Sequence, residues 1–240
     1  MPSNRSASVA ASFGARAQSY DAHAELQRAV AATLARRLPE LARPRVLELG
    51  CGTGLFSRHL LARYPDGSFV FSDLAPAMVE QCRRMLEPTP RARFAIIDAE
   101  APEGHGAFDL IGLSMTLHWL PDPAAALERL RRLLSPRGVL VYATLGRESF
   151  AEWRSVLAAE GLPSGLVETP ELPGIVAQER LVPEGSALDF LRGMQAVGGL
   201  TPKADYRPLP PGHLRRAIRA LDARHAGRVT WHIVYGRLRA

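Results

Sequence analysis

The decapeptide LELGCGTGLF at residues 47–56 constrains this chain more than any other stretch. An apolar run carrying Glu48 ends in Gly50, Gly52 and Gly54, which lie within five residues of one another. Glycines at that density let a backbone turn sharply and let a ligand approach with no Cβ in the way. A strand that feeds such a turn and then a helix is the opening unit of a doubly wound sheet. Ligands of such sheets bind beyond the carboxyl ends of the strands, at the point where strand order reverses.

The flanking sequence continues the pattern. RVLEL (45–49), SFVFSD (68–73), RFAIID (93–98), FDLIGLS (108–114) and GVLVYAT (138–144) read as strands. Helices are expected at about 55–64, over APAMVEQCRRML (75–86) and over DPAAALERLRRLLS (122–135), the last stopped by Ser135-Pro136-Arg137-Gly138. Strands that alternate with helices and are apolar along their length imply an α/β fold with a mostly parallel sheet covered on both faces. Before this core, Leu26, Val30, Leu34 and Leu38 recur at helical spacing over 24–38. After Thr144 the rhythm changes. Helices are expected over 148–161, 186–199 and 211–225, and strands over 174–182 and 229–239, which would complete the sheet and add a helical cover. Residues 1–240 are therefore read as one domain, with an N-terminal segment at 1–40, a ligand-binding core at 45–145 and a completing half at 146–240.

Composition excludes several functions. The formal charge of +6 invites a nucleic-acid reading, yet Lys203 is the only lysine and the other 29 basic residues are arginine. The arginine pairs are scattered, and no basic block interleaves with aromatics as in a nucleic-acid reader. No apolar run approaches membrane-spanning length, and the N-terminus lacks the apolar core of a secretory signal, so a cytoplasmic protein is expected. Cys51 and Cys82 form no CxxC, and His213, His225 and His232 lack metal-ligand spacing. Neither a disulfide framework nor a metal is expected.

The ligand of the turn follows from charge. Dinucleotide turns read GxGxxG and place pyrophosphate at a helix N-terminus. Here the third glycine arrives one residue early, and Glu48 stands two residues before the first. A carboxylate there repels pyrophosphate and suits a cation. S-adenosylmethionine carries an ammonium and a sulfonium and no phosphate. Asp73, 23 residues after Gly50, is placed to accept from ribose hydroxyls, and Asp98 in DAE to meet the adenine edge. Turn or capping duty is the alternative for each acid.

These motifs resemble the class I S-adenosylmethionine-dependent methyltransferases. The flanks narrow the resemblance. FGARAQSYDAHAELQR (13–28), SALDFLRGMQAVGG (186–199), LPPGHLRRAIRAL (209–221) and VTWHIVYGRLR (229–239) are similar to malonyl-[acyl-carrier protein] O-methyltransferases of biotin synthesis. The family more often has Asn at Met115 and Gln at His118. The resemblance implies a Rossmann-like fold, an N-terminal lid over the cofactor, and a cofactor-binding set of Gln27, Glu48, Gly50, Cys51, Gly52, Gly54, Asp73, Leu74, Met78, Asp98, Ala99 and Ser114. It implies methyl transfer to the free carboxylate of malonyl-acyl carrier protein, or of malonyl-coenzyme A, with S-adenosylhomocysteine as product.

A carboxylate is already ionised at neutral pH, so this step needs alignment and water exclusion and no general base. Three residues are expected at the reacting centre. Tyr20 would contact the methyl group or acceptor, Arg192 would pair with the acceptor carboxylate, and His118 would border the cofactor or acceptor. Trp119 is expected as pocket wall. Arg215, Arg216 and Arg219 are expected to offer a docking face to an acidic carrier protein, and the chain is expected to act as a monomer. Three alternatives stay open: a methyltransferase with another small-molecule or protein acceptor, a respiratory-complex assembly factor of the same fold, and a non-catalytic S-adenosylmethionine-binding module.

Overall fold

Seven strands form one sheet in the order β3-β2-β1-β4-β5-β7-β6. The computed structural model describes residues 4–15, 20–102, 106–196 and 206–240. β1 (Arg45–Leu49), β2 (Ser68–Asp73), β3 (Ala92–Ile96), β4 (Phe108–Ser114) and β5 (Leu134–Leu145) pair in parallel. β7 (Trp231–Arg239) inserts antiparallel between β5 and β6 (Ile175–Leu181). The chain steps from β1 to β2 and β3 on one side, then returns to lay β4 and β5 on the other. Strand order therefore reverses between β1 and β4, and the glycine turn leaves the carboxyl end of β1 at that point.

Alternation along the strands divides the core in two, as the period of two requires. Val46, Phe69, Phe71, Leu110, Val141 and Ile233 pack on one face with Val30 and Leu34 of α2 (Glu25–Ala35) and Leu60 of α3 (Ser57–Arg63). Leu47, Leu49, Ile111, Leu113, Leu140 and Val234 pack on the other with Ala126, Leu127 and Leu130 of α5 (Pro123–Arg131). Asp122 caps α5 by accepting from Ala125 N–H at 2.9 Å, and Pro123 occupies its first turn. α4 (Pro76–Met85) lies along β2 and β3.

The second half builds its own apolar cluster. α6 (Ala151–Ala159), α7 (Ala187–Ala196) and α8 (Pro211–His225) meet through Phe150, Trp153, Val156, Met194 and Leu221. Among the described residues, no helix is long and apolar enough to cross a membrane.

Element boundaries differ from the sequence reading in identifiable places. The helix expected to 135 ends at Arg131, and β5 begins at Leu134, whose buried side chain pairs with Phe108. The Ser-Pro-Arg-Gly run becomes a register shift within the strand, held where the Ser135 hydroxyl donates to Asp109 at 2.7 Å. The helix expected from 148 starts at Ala151, because Phe150 takes a left-handed backbone (φ 62°) and packs edge-on against Trp231 at 4.7 Å. The third strand ends at Ile96, two residues short of Asp98. α1 (Asn4–Gly14) was not anticipated, since its small residues carry a weak apolar signal. The last residues of the helix expected over 186–199 lie outside the described residues.

Two glycines test the packing in opposite directions. Gly236 faces Tyr142 across β5 and β7, and a Cβ there would lie 2.0 Å from the ring. Tyr142 cannot yield easily, because its hydroxyl donates to the Pro173 carbonyl at 2.6 Å. Gly236→Ala should destabilise by roughly 1–3 kcal/mol. Gly193 sits inside α7 with no atom within 4 Å of a Cβ, so Gly193→Ala should stabilise by about 0.5–1 kcal/mol. Urea unfolding midpoints read both.

Candidate active site

Glu48 is the penultimate residue of β1 and is 1% exposed. Its Oε2 accepts from the Ser57 hydroxyl at 2.5 Å, while Oε1 has no hydrogen-bond partner among the described residues. Burial holds the carboxyl well above its ordinary range, Cys82 and Asp73 push the same way, and the Ser57 hydroxyl pulls back. A buried, half-satisfied carboxylate is destabilising unless something cationic or hydrogen-bonding meets it.

Backbone conformation opens the space in front of it. Gly50 (φ 74°) passes so close to Thr116 that a Cβ would lie 2.2 Å from its Oγ1. Gly52 (φ 52°) has nothing within 4 Å of its Cβ position, so its backbone borders open space. Gly54 plays a different part. A Cβ there would meet Cys82 Sγ at 3.3 Å and Leu86, so it serves close packing against α4, and it does not line the cavity.

The resulting cleft at the carboxyl ends of β1 and β4 comprises about 960 Å³, counted out into its open mouth. Glu48, Gly50, Cys51, Gly52, Asp73, Leu74, Met78, Asp98, Ala99 and Ser114 line it, with Gln27 and Tyr20 from the N-terminal segment. Asp73 accepts from Gly52 N–H at 3.0 Å and Ala75 N–H at 2.9 Å. It thus shapes both turns, and its burial raises its pKa against the pull of those amides. Each oxygen keeps a lone pair for a ligand hydroxyl. Asp98 accepts from Glu100 N–H at 2.9 Å, a turn role held together with its place in the lining.

Sequence reasoning missed several lining residues, among them Phe13, Thr53, Phe56, Met115 and Thr116. Met115 has φ 57°, a conformation that asparagine tolerates better than methionine. The N-terminal segment is tied down by Asp21, which accepts from the Thr53 hydroxyl at 2.5 Å. Tyr20 packs near Phe13, with ring centroids 6.1 Å apart. Burial beside Asp73 and Asp21 raises the Tyr20 pKa well above its ordinary value, so the phenol is protonated and does not serve as a base.

A second cavity adjoins the first and shares Phe13, Tyr20, Gln27, Met115 and Trp119 with it. Phe13 and Trp119 meet edge-on at 5.2 Å. His118 lines the second cavity and not the first, and its Nδ1 is within 3.0 Å of Thr144 Oγ1. Ser149, Phe150, Arg154 and Trp231 line it from the second half of the chain. Arg192 lines neither cavity. It is exposed on α7 near Asp189, because the helix turns Ala187 and Met194 inward instead.

The two cavities differ in charge. Glu48, Asp73 and Asp98 line the first, which has no Arg, Lys or His among its described lining residues. Arg154 and His118 line the second, which has no Asp or Glu among its own. The acidic, mostly apolar first cavity with the unpartnered Glu48 oxygen fits S-adenosylmethionine and opposes a pyrophosphate.

Comparisons with known proteins agree with that fit. A methyltransferase-domain family model matches residues 47–140. The malonyl-[acyl-carrier protein] O-methyltransferase of Magnetococcus marinus is 38% identical, over 97% of this chain and 92% of its own length. The biotin biosynthesis bifunctional protein BioCD of Bordetella avium is 40% identical over 97% of this chain, which spans 52% of that longer protein. The structure of coclaurine N-methyltransferase bound to N-methylheliamine and S-adenosylhomocysteine shares the fold, with a TM-score of 0.55, 15% identity, and coverage of 90% of this chain and 73% of its own.

A raised acid binds its proton more tightly in the folded than in the unfolded chain. The Glu48 contribution to the stability of the ligand-free protein is therefore fully present below the ordinary carboxylate range and is lost as pH rises through the elevated Glu48 value. Glu48→Gln should flatten that slope, with Asp73 leaving a residue of it. The same variant should bind S-adenosylhomocysteine roughly ten-fold or more weakly, since it removes a charged partner for the ligand ammonium. Thermal unfolding against pH and calorimetric titration check the two effects separately.

Proposed function

This chain belongs to the malonyl-[acyl-carrier protein] O-methyltransferases, and we propose that it methylates the free carboxylate of a malonyl thioester carried on acyl carrier protein, in the cytoplasm. The product is the methyl ester that enters biotin synthesis. One observation supports this reading above others: two cavities of opposite charge meet at a shared seam. A cationic methyl donor suits the acidic side, and an anionic acceptor suits the basic side.

S-adenosylmethionine, when bound, supplies a methyl group on a sulfonium that leaves as S-adenosylhomocysteine. An acceptor oxygen forms the new O–CH3 bond as the S–CH3 bond breaks. The positive and negative charges cancel, and no proton moves. The chain's task is then to hold two ligands in line and keep water out. Glu48 and Asp73 fix the donor's polar ends. Phe13, Tyr20, Met115 and Trp119 form the apolar seam between the ligands. Tyr20, being protonated, steadies the acceptor side by packing or donation and takes no proton. Asp21 and Thr53 hold the Tyr20 turn against the glycine turn, which supports reading the N-terminal segment as a lid.

We take 1–240 as one functional domain. We take the chain to act as a monomer. The docking face for an acidic carrier protein is read on α8, where Arg215 and Arg219 are exposed. Arg216 is the weaker candidate, since it pairs with Glu160 at 2.6 Å.

Purified protein with labelled cofactor should methylate malonyl-carrier protein in preference to free malonate, and its gene should restore growth to a biotin auxotroph lacking this methyl transfer. Failure on every malonyl thioester would reject the acceptor. Reversing Arg215 and Arg219 to Glu should raise KM for the carrier substrate, more so at low salt, with S-adenosylhomocysteine affinity unchanged.

A further inference from the structure

We propose that Arg154 is the residue that grips the acceptor carboxylate, and that it makes the site distinguish the charged substrate from its uncharged methyl ester. The inference rests on the carboxyl-methylation reading above.

Arg154 stands in the first turn of α6 and lines the second cavity. It is partly buried beside apolar walls that include Phe150, Met194 and Trp231. Its guanidinium is oriented by the backbone. Nη1 donates to the Ser149 carbonyl, and Nη2 donates to the Arg147 carbonyl at 2.8 Å. A guanidinium has five N–H donors, so those two bonds leave others uncommitted. Among the described residues, no carboxylate pairs with Arg154.

The acids nearest to it along the chain are engaged by other groups. Glu148 pairs with Arg180 at 2.7 Å and Glu160 with Arg216 at 2.6 Å. The acid closest in sequence, Glu152, is taken elsewhere: its two oxygens accept from the Thr230 amide at 2.9 Å and hydroxyl at 2.5 Å. The cation facing the second cavity is therefore pre-oriented and left unneutralised. An unpaired charge in an apolar wall favours an anionic ligand, and a planar fork favours a carboxylate. Arg192, which the sequence suggested for this role, is exposed and lines neither cavity.

Holding one acceptor oxygen leaves the other for attack across the Tyr20–Met115 seam. Methylation then removes the charge that Arg154 binds, so the ester is released in favour of a new malonyl group.

The test uses the full chain saturated with S-adenosylhomocysteine, titrated with malonyl-pantetheine and with its methyl ester, alongside steady-state methylation of malonyl-carrier protein. Wild type should bind the acid roughly ten- to hundred-fold more tightly than the ester. Arg154→Gln should abolish that preference and raise KM by a similar factor, with S-adenosylhomocysteine affinity within about two-fold of wild type. Arg154→Lys, a point charge without the fork, should recover part of the preference. Unchanged preference in Arg154→Gln overturns the proposal. If that variant loses S-adenosylhomocysteine binding through misfolding, the wild-type preference and Arg154→Lys decide: no preference for the acid in wild type overturns it. A wild type that binds malonyl-pantetheine through Arg154 yet methylates no malonyl carrier rejects the reaction reading alone.

Discussion

Burying Glu48 at the carboxyl end of β1 carries a free-energy cost that the ligand-free fold only half offsets. Ser57 satisfies one oxygen and nothing described satisfies the other. The residues around it explain how the acid is tolerated there. Phe56, Cys82 and Leu86 shield the turn, and Asp73 organises the amides of Gly52 and Ala75. The result is an acidic cradle suited to a cation. A site held in that state favours ligand binding, because the cost of desolvating the acid is already met by the fold.

The same logic runs in reverse on the far side of the seam. Arg154 is oriented by two backbone carbonyls and, among the described residues, meets no acid. One chain thus keeps an uncompensated acid and an uncompensated base in neighbouring cavities, separated by Phe13, Tyr20, Met115 and Trp119. Were the two charges adjacent, they would pair and close the site. The aromatic seam keeps them apart and draws two oppositely charged ligands to either side. The N-terminal segment supplies half of that seam, which is why its anchoring through Asp21 and Thr53 matters to the chemistry.

Much of this was legible before any coordinates. The strand-turn-helix alternation predicted a doubly wound sheet, because strands apolar along their length and joined through helices are buried by those helices on both faces. Glu48 and the glycine spacing pointed to a cationic ligand through electrostatics alone. Of the twelve cofactor residues expected, eleven line the first cavity, with Gly54 turned to packing against α4. Boundaries were less legible where a long-range contact overrode a local signal. Ser135-Pro136 looks like a stop, yet Leu134 pairs with Phe108 and the strand starts early. Phe150 looks helical, yet its contact with Trp231 delays α6 by several residues.

By itself the sequence determined the fold class, the places of the first five strands along the chain and the charge of the donor site, since each depends on local periodicity or on residues adjacent in the chain. Tertiary structure alone decided the three glycines' separate duties, the second cavity and the choice between Arg154 and Arg192. In a chain with 29 arginines, no local pattern marks the one that matters. What singles it out is its place: among the described arginines it alone lines the second cavity, and Glu152 beside it is bound by Thr230, 78 residues away. An unpaired charge is a property of the whole packing, and only the assembled fold contains it.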